Sequence, residues 1–175
     1  ALGDDRVDAV VIATPPASHA GLVRHALSAG KHVLVEKPIC TCSREARELT
    51  NLAERQRRVL MVGHVFLFHN VFERIMRYVN DSEIGRLQYV HALRTNLGPI
   101  RQDVNVIYDL ASHDVSTAIR LFDEMPESVS AQGSALLGNP REDVSSLTLN
   151  FSGGRSAFIH VSWLDPCKVR RMTVV

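Results

Sequence analysis

The sequence predicts an α/β half with a parallel sheet, followed by an α+β half with a mainly antiparallel open sheet. Three observations carry that prediction. Apolar, β-branched runs alternate with helix-period stretches through residues 8–63, the pattern of β-α-β-α-β units with right-handed crossovers. Beyond Gly63 the rhythm changes to period-2 runs separated by turn residues, which suits an antiparallel sheet with helices on one face. Glu36-Lys37-Pro38 follows directly on the apolar run His32-Val33-Leu34-Val35, and a proline so close to its end cannot continue a central ladder. A lysine therefore stands at the carboxyl end of a parallel strand, where open α/β sheets bind ligands.

The elements follow in order. Residues 8–13, Asp-Ala-Val-Val-Ile-Ala, form a buried strand that Thr14-Pro15-Pro16-Ala17-Ser18 breaks. Leu22, Val23, Ala26 and Leu27 recur at helical spacing over residues 19–28, and Gly30 stops that helix at C′. Residues 33–35 are the next strand. Ser43 is the expected N-cap of a charged, amphipathic helix over residues 45–57, and residues 59–63 give a third strand. In the second half, residues 70–79 read as a helix and residues 87–94 as an alternating strand. Residues 106–122 read as one helix, with Ile107, Leu110, Val115, Ala118, Ile119 and Leu121 as its apolar positions. Strands follow over residues 127–135, 144–151 and 156–163, the last two joined by the hairpin signal Ser152-Gly153-Gly154-Arg155. Residues 169–175 make a final strand. The expected domains are residues 1–64 and 65–175.

Composition narrows the function classes. The 175 residues carry 20 Lys and Arg against 19 Asp and Glu, a formal net charge of +1, so neither nucleic acid nor a membrane surface is the expected partner. No apolar stretch is long enough for a transmembrane helix, and the start lacks the order of a signal peptide. Cys40, Cys42 and Cys167 are too few for a disulfide scaffold, and Cys40-Thr41-Cys42 has the wrong spacing for a zinc pair. Reduced thiols in a cytoplasmic protein are the expectation. His19, His64 and His69 lie on different elements without compact ligand spacing, so no metal site is expected.

Asp109-Leu110-Ala111-Ser112-His113 places a carboxylate and an imidazole four residues apart, on one face of a helix. Lys37, Asp109 and His113 would make a proton-handling site if the fold gathers them. There is no G-x-G-x-x-G in the chain, although a doubly wound nucleotide-binding sheet opens with that turn. The chain opens in a mid-sheet strand and stops on Thr173-Val174-Val175, so the expectation is a fragment whose missing front carries the phosphate-binding turn.

Two stretches, Ala13-Thr14-Pro15-Pro16-Ala17-Ser18-His19 and Ala29-Gly30-Lys31-His32-Val33-Leu34-Val35-Glu36-Lys37-Pro38, resemble the Gfo/Idh/MocA oxidoreductase family. The resemblance continues through Gly63-His64, Ile84-Gly85-Arg86-Leu87 and Asp109 to His113, nearly the whole chain. It implies a Rossmann half binding NAD or NADP, and an α+β half that carries the substrate site and the contact of a homodimer or homotetramer. Carried over by position, Lys37, Asp109 and His113 are implied to be catalytic. Ala13, Thr14, Pro15, Pro16, His19, Glu36, Lys37 and His64 are implied to border the cofactor. Arg94-Thr95-Asn96-Leu97-Gly98-Pro99, Asn105-Val106-Ile107-Tyr108 and Ser162-Trp163-Leu164, with Lys168 and Arg170, look like the branch acting on nucleotide-linked sugars. Lys37, Arg94, Asn96, Asn105, Tyr108 and His113 are then implied to meet a small sugar or nucleotide-sugar substrate.

Simpler readings stand beside these. Lys37 is otherwise a solvated loop lysine, and His113 a hydrogen-bonded core histidine paired with Asp109 on a helix face. Asp114 competes as the carboxylate but points to another face. Arg94 offers a fork suited to a carboxylate or diphosphate, or is an ordinary exposed strand residue. Trp163 reads as core or oligomer interface. At the level of the whole chain, the alternatives are a dehydrogenase of a free sugar or cyclitol, and a non-catalytic or regulatory paralogue that keeps the fold.

Overall fold

The computed structural model describes residues 2–138 and 140–175. The chain folds as two compact units, Ala1–His64 and Val65–Val175.

The first unit holds a three-stranded parallel sheet in the order β1-β2-β3, with β1 at Ala9–Ile12, β2 at His32–Val35 and β3 at Leu60–Val62. Helix α1, Pro16–Ser28, starts with Pro16 in its first turn, where the missing N–H costs nothing. The Thr14-Pro15-Pro16 break is thus also the helix start, three residues earlier than the apolar spacing alone indicates. Gly30 ends the helix in the left-handed region at φ 72°, its N–H donating to Leu27 O at 3.0 Å. Helix α2, Ser43–Gln56, begins two residues earlier than expected, with its N-cap one residue earlier: Cys42 is the N-cap, without a side-chain cap bond, and Ser43 is already helical. Val23, Leu27, Val33, Val35 and Leu49 form the core of this unit.

The second unit is a five-stranded mixed sheet in the order β5-β6-β7-β4-β8. Its strands are β4 (Tyr89–Thr95), β5 (Ser128–Ser134), β6 (Val144–Asn150), β7 (Ser156–Ser162) and β8 (Val169–Val174). All neighbours run antiparallel except β4 and β7, which pair in parallel from Tyr89↔Ser156 to Thr95↔Ser162. The β6–β7 hairpin turns through Gly153 and Gly154, both at positive φ. One sheet face is closed: Val90, Ala92, Leu147, Leu149, Ile159 and Val161 pack with Phe72 of helix α3 (Asn70–Asn80) and with Ala118, Leu121 and Phe122 of helix α4 (Ser112–Phe122). The other face carries Tyr89 and Phe158, their rings edge to face with centroids 6.2 Å apart.

Two further features depart from the sequence prediction. A short 3₁₀ turn, Val65–Phe68, precedes α3. The single helix expected over residues 106–122 is two pieces: a π-helical turn at Ile107–Ala111 runs into α4 at Ser112. The wider turn leaves the apolar pattern intact, so periodicity does not reveal it.

Candidate active site

In the first unit the parallel ladder runs past the strand ends and sets the geometry there. Glu36 N–H donates to Ile12 O at 2.9 Å, and Gly63 N–H to Val35 O at 2.8 Å. Three loops therefore leave the sheet side by side: Ala13-Thr14-Pro15 after β1, Glu36-Lys37-Pro38 after β2, and Gly63-His64 after β3. The Glu36 carboxyl group lies over Gly63, where an added Cβ would come within 3.4 Å of it. The Lys37 N–H reaches back to Glu36 Oε2 at 3.3 Å, and the Lys37–Pro38 peptide is cis.

His19 is fully buried, at 0% exposure, and both ring nitrogens lie 2.7 Å from backbone carbonyls, Nδ1 from Pro38 O and Nε2 from Thr14 O. It ties the loop after β1 to the loop after β2 and fixes their spacing. Thr14 Oγ1 and Ser18 Oγ, 2.7 Å apart, close the first loop onto the start of α1. Burial pushes the His64 imidazole below its usual range, and the Lys37 ammonium adds to the effect. His64 Nδ1 is buried without a hydrogen-bond partner among the described residues.

In the second unit the π turn carries Asp109 and hands the chain to α4, which carries His113 in its first turn. Asn105 prepares this entry. Its Oδ1 accepts from Tyr108 N–H at 3.1 Å and its Nδ2 donates to Glu142 Oε2 at 2.9 Å, so both ends of the amide are engaged by protein. Asp109 N–H donates to Asn105 O at 3.1 Å. Asp109 Oδ2 accepts from Trp163 Nε1–H at 3.1 Å, and Arg101 Nη1 stands 3.7 Å from Oδ1. His113 packs edge to face on Phe66, with ring centroids 4.7 Å apart. Tyr108 is partly exposed on the same turn. Asn96 follows β4, its N–H donating to Ser162 O at 3.1 Å.

Arg94, implied by the resemblance to meet substrate and otherwise read as an ordinary exposed strand residue, is not exposed. It is 7% exposed and grips Asp114 in a fork, Nε to Oδ2 at 2.7 Å and Nη2 to Oδ1 at 2.9 Å. Its guanidinium also stacks on Phe66, 4.6 Å from the ring centroid. It borders an open groove of about 430 Å³ with Phe72, Ile75, Arg170 and Met172, but its fork is already filled. Asp114 does face away from Asp109, as the helix spacing indicates. Trp163 is core, 1% exposed. Sequence reasoning did not single out Phe66, Arg101 or Glu142. The one legible signal is general: a buried indole N–H needs an acceptor. Among the described residues, no group of three or more His, Cys, Asp or Glu gathers as a metal site.

Comparison with known proteins fits this architecture. Residues 1–64 match the oxidoreductase family with an NAD-binding Rossmann fold, and residues 72–175 match the GFO/IDH/MocA C-terminal domain. UDP-N-acetylglucosamine 3-dehydrogenase of Acidithiobacillus ferrooxidans is 30% identical over 171 residues, 96% of this chain and 52% of that protein. Inositol 2-dehydrogenase of Rhizobium meliloti is 29% identical over 163 residues, 87% of this chain and 49% of that protein. The crystal structure of GenD2 from gentamicin A biosynthesis, in complex with NAD, superposes with a TM-score of 0.89 at 28% identity, covering 99% of this chain and 52% of that one. The chain thus spans about half the length of these relatives. It belongs to the Gfo/Idh/MocA family of oxidoreductases, with an NAD-binding Rossmann unit first and the family's C-terminal domain second.

Proposed function

We propose that this chain serves an NAD- or NADP-dependent dehydrogenase that moves a hydride between nicotinamide and a CH–OH carbon of a nucleotide-linked sugar. The observation that carries the reading is the placement of Glu36-Lys37 at the carboxyl end of β2, the middle strand of the parallel sheet. The residues there fit a nicotinamide edge: an ammonium, a carboxylate, and a buried His64 ring nitrogen with no partner among the described residues. Ala13, Thr14, Pro15, Pro16, Glu36, Lys37 and His64 would border the cofactor. His19, being enclosed, would act by holding two of those loops.

The bound nicotinamide supplies the hydride acceptor; proton and charge fall to the protein. His113 takes the hydroxyl proton as the carbon gives up its hydride, so that the alcohol becomes a carbonyl with atoms and electrons balanced. The Lys37 ammonium favours negative charge developing on that oxygen. Asp109, a turn before His113, orients the proton-handling group. Asn96 and Tyr108 remain candidate substrate contacts. Asn105 and Arg94 are held by Glu142 and Asp114 and would act on the shape of the site.

Nucleotide-sugar specificity draws support from the UDP-N-acetylglucosamine 3-dehydrogenase relative. The inositol 2-dehydrogenase relative favours a second reading, a free cyclitol or sugar. A cytoplasmic location and a homodimer or homotetramer through the open sheet face complete the proposal. No helix among the described residues is long and apolar enough to cross a membrane.

Calorimetric titration of the protein as encoded with NAD and NADP, followed by turnover of UDP-N-acetylglucosamine and of inositol, tests the reading. Binding with turnover lost in Lys37→Ala supports it. A folded protein that binds neither dinucleotide contradicts it and favours a non-catalytic paralogue.

A further inference from the structure

We propose that Trp163 and Arg101 are positioning residues that hold the Asp109 carboxylate from two sides, so that its orientation is set before a substrate arrives. The proposal rests on Asp109 serving the reaction proposed above.

Trp163 is a rigid donor. Its N–H donates to Asp143 O at 3.0 Å, and its carbonyl accepts from Gly98 N–H at 3.3 Å, so the backbone is pinned on both sides. The ring is 1% exposed, packed among the core side chains of the sheet, which locks its rotamer. The indole N–H can only donate, and it points at Asp109 Oδ2 from 3.1 Å. An acceptor for that N–H need not be charged; a backbone carbonyl would satisfy it equally. The sequence supplies a carboxylate instead, on a π-helical turn, a local geometry that recurs at functional sites.

Arg101 approaches the other oxygen. Its Nη1 lies 3.7 Å from Oδ1, close enough for charge attraction and too far for a good hydrogen bond. The plane of the guanidinium is fixed by Asp103, which accepts from Nε at 2.9 Å and from Nη2 at 2.7 Å. The bond with Asp103, with the charge of Asp109 contributing, raises the Arg101 pKa; the same bond holds the Asp103 carboxyl below the usual range. Asp109 is thus fixed at its backbone by Asn105, at Oδ2 by Trp163 and in field by Arg101, while its side chain stays 17% exposed. A closed structural pair in the same unit, Arg94–Asp114, shows the contrast: both oxygens are bonded and the group is buried.

The test separates kcat from KM in Trp163→Phe, Arg101→Gln and Arg101→Lys, each alone and with Asp109→Asn. Misplacing a reacting group lowers kcat, so Trp163→Phe is expected to lose about tenfold in kcat with KM changed by less than about twofold. Combined with Asp109→Asn it should lose nothing further, because both act through one carboxylate. Arg101→Gln should lose about threefold, with Arg101→Lys recovering most of it. Should Trp163→Phe fail to fold, the Arg101 variants carry the test, since that side chain is 37% exposed. Wild-type kcat in folded Trp163→Phe or in Arg101→Gln, or losses that multiply with Asp109→Asn, would overturn the inference while leaving the role of Asp109 intact. An Asp109→Asn variant with wild-type kcat would instead remove the underlying reading and the inference with it.

Discussion

Asp109 and Asp114 stand on consecutive turns of one helical segment and have opposite surroundings. Asp114 faces the sheet, 4% exposed, with both oxygens filled by the Arg94 fork. Asp109 faces the end of β7, where the Trp163 indole N–H donates to Oδ2 at 3.1 Å and Arg101 Nη1 stands 3.7 Å from Oδ1, and its side chain is 17% exposed. The first arrangement is what a buried ion pair requires, since any unfilled lone pair would add to the desolvation cost. The second sets a neutral donor and a more distant cation around a partly exposed carboxylate. Five positions apart along the helical segment, the two carboxylates point to different faces, Asp109 from the π turn and Asp114 from α4.

The largest effect should come from exchanging the fates of these carboxylates. Asp109→Asn is predicted to lower kcat by about 10²-fold or more with little change in Tm. Asp114→Asn is predicted to cost about 3 kcal/mol of stability, by leaving Arg94 buried and uncompensated, with kcat of the folded fraction near wild type. Denaturant melts and steady-state kinetics on both variants decide it; a stability loss for Asp109→Asn with a kcat loss for Asp114→Asn would invert the comparison. Next in size, Lys37→Ala should lower kcat by about 10²-fold while NAD still binds in calorimetry. If kcat survives, the simpler reading of a solvated loop lysine is the right one.

His64 sharpens the contrast through pH. Its folded-state pKa lies below the ordinary 6.5, chiefly through burial and then through Lys37. The unfolded chain therefore takes up a proton that the folded imidazole resists. Stability should be complete above pH 6.5 and fall as the pH drops below it. His64→Gln should flatten that slope, measured as Tm against pH; an unchanged slope would assign the pH dependence to other groups. The smallest effect belongs to the exposed pair Arg24–Glu48 at 3.1 Å, where Glu48→Ala should cost less than about 1 kcal/mol and vanish in high salt.

Much of this is legible in the sequence. The first unit reads cleanly because its strands are short apolar runs, its helices have clear breaks at Pro15-Pro16 and Gly30, and every connection is local. The position of Lys37 at a strand end follows from the same pattern. Long-range pairing was not legible. Nothing local tells that β4 runs parallel to β7. Arg94 looks like a solvent-facing strand residue until Asp114 and Phe66 close over it. The indole of Trp163 meets Asp109 across 54 positions of sequence. The π turn hides because an inserted residue leaves the apolar spacing of residues 106–122 looking helical. Asn105 and His19, which the resemblance puts beside substrate and cofactor, also hydrogen-bond to protein atoms distant in sequence, and local spacing gives no sign of it.

The central claim is that His113 takes the substrate's proton in a nicotinamide-dependent oxidation. Single-turnover reduction of NAD by UDP-N-acetylglucosamine, compared between the wild type and His113→Ala with cofactor binding verified in both, tests it directly. The account predicts unchanged cofactor affinity and a turnover rate reduced by about 10²-fold or more in the variant. A His113→Ala enzyme that reduces NAD at the wild-type rate would contradict it.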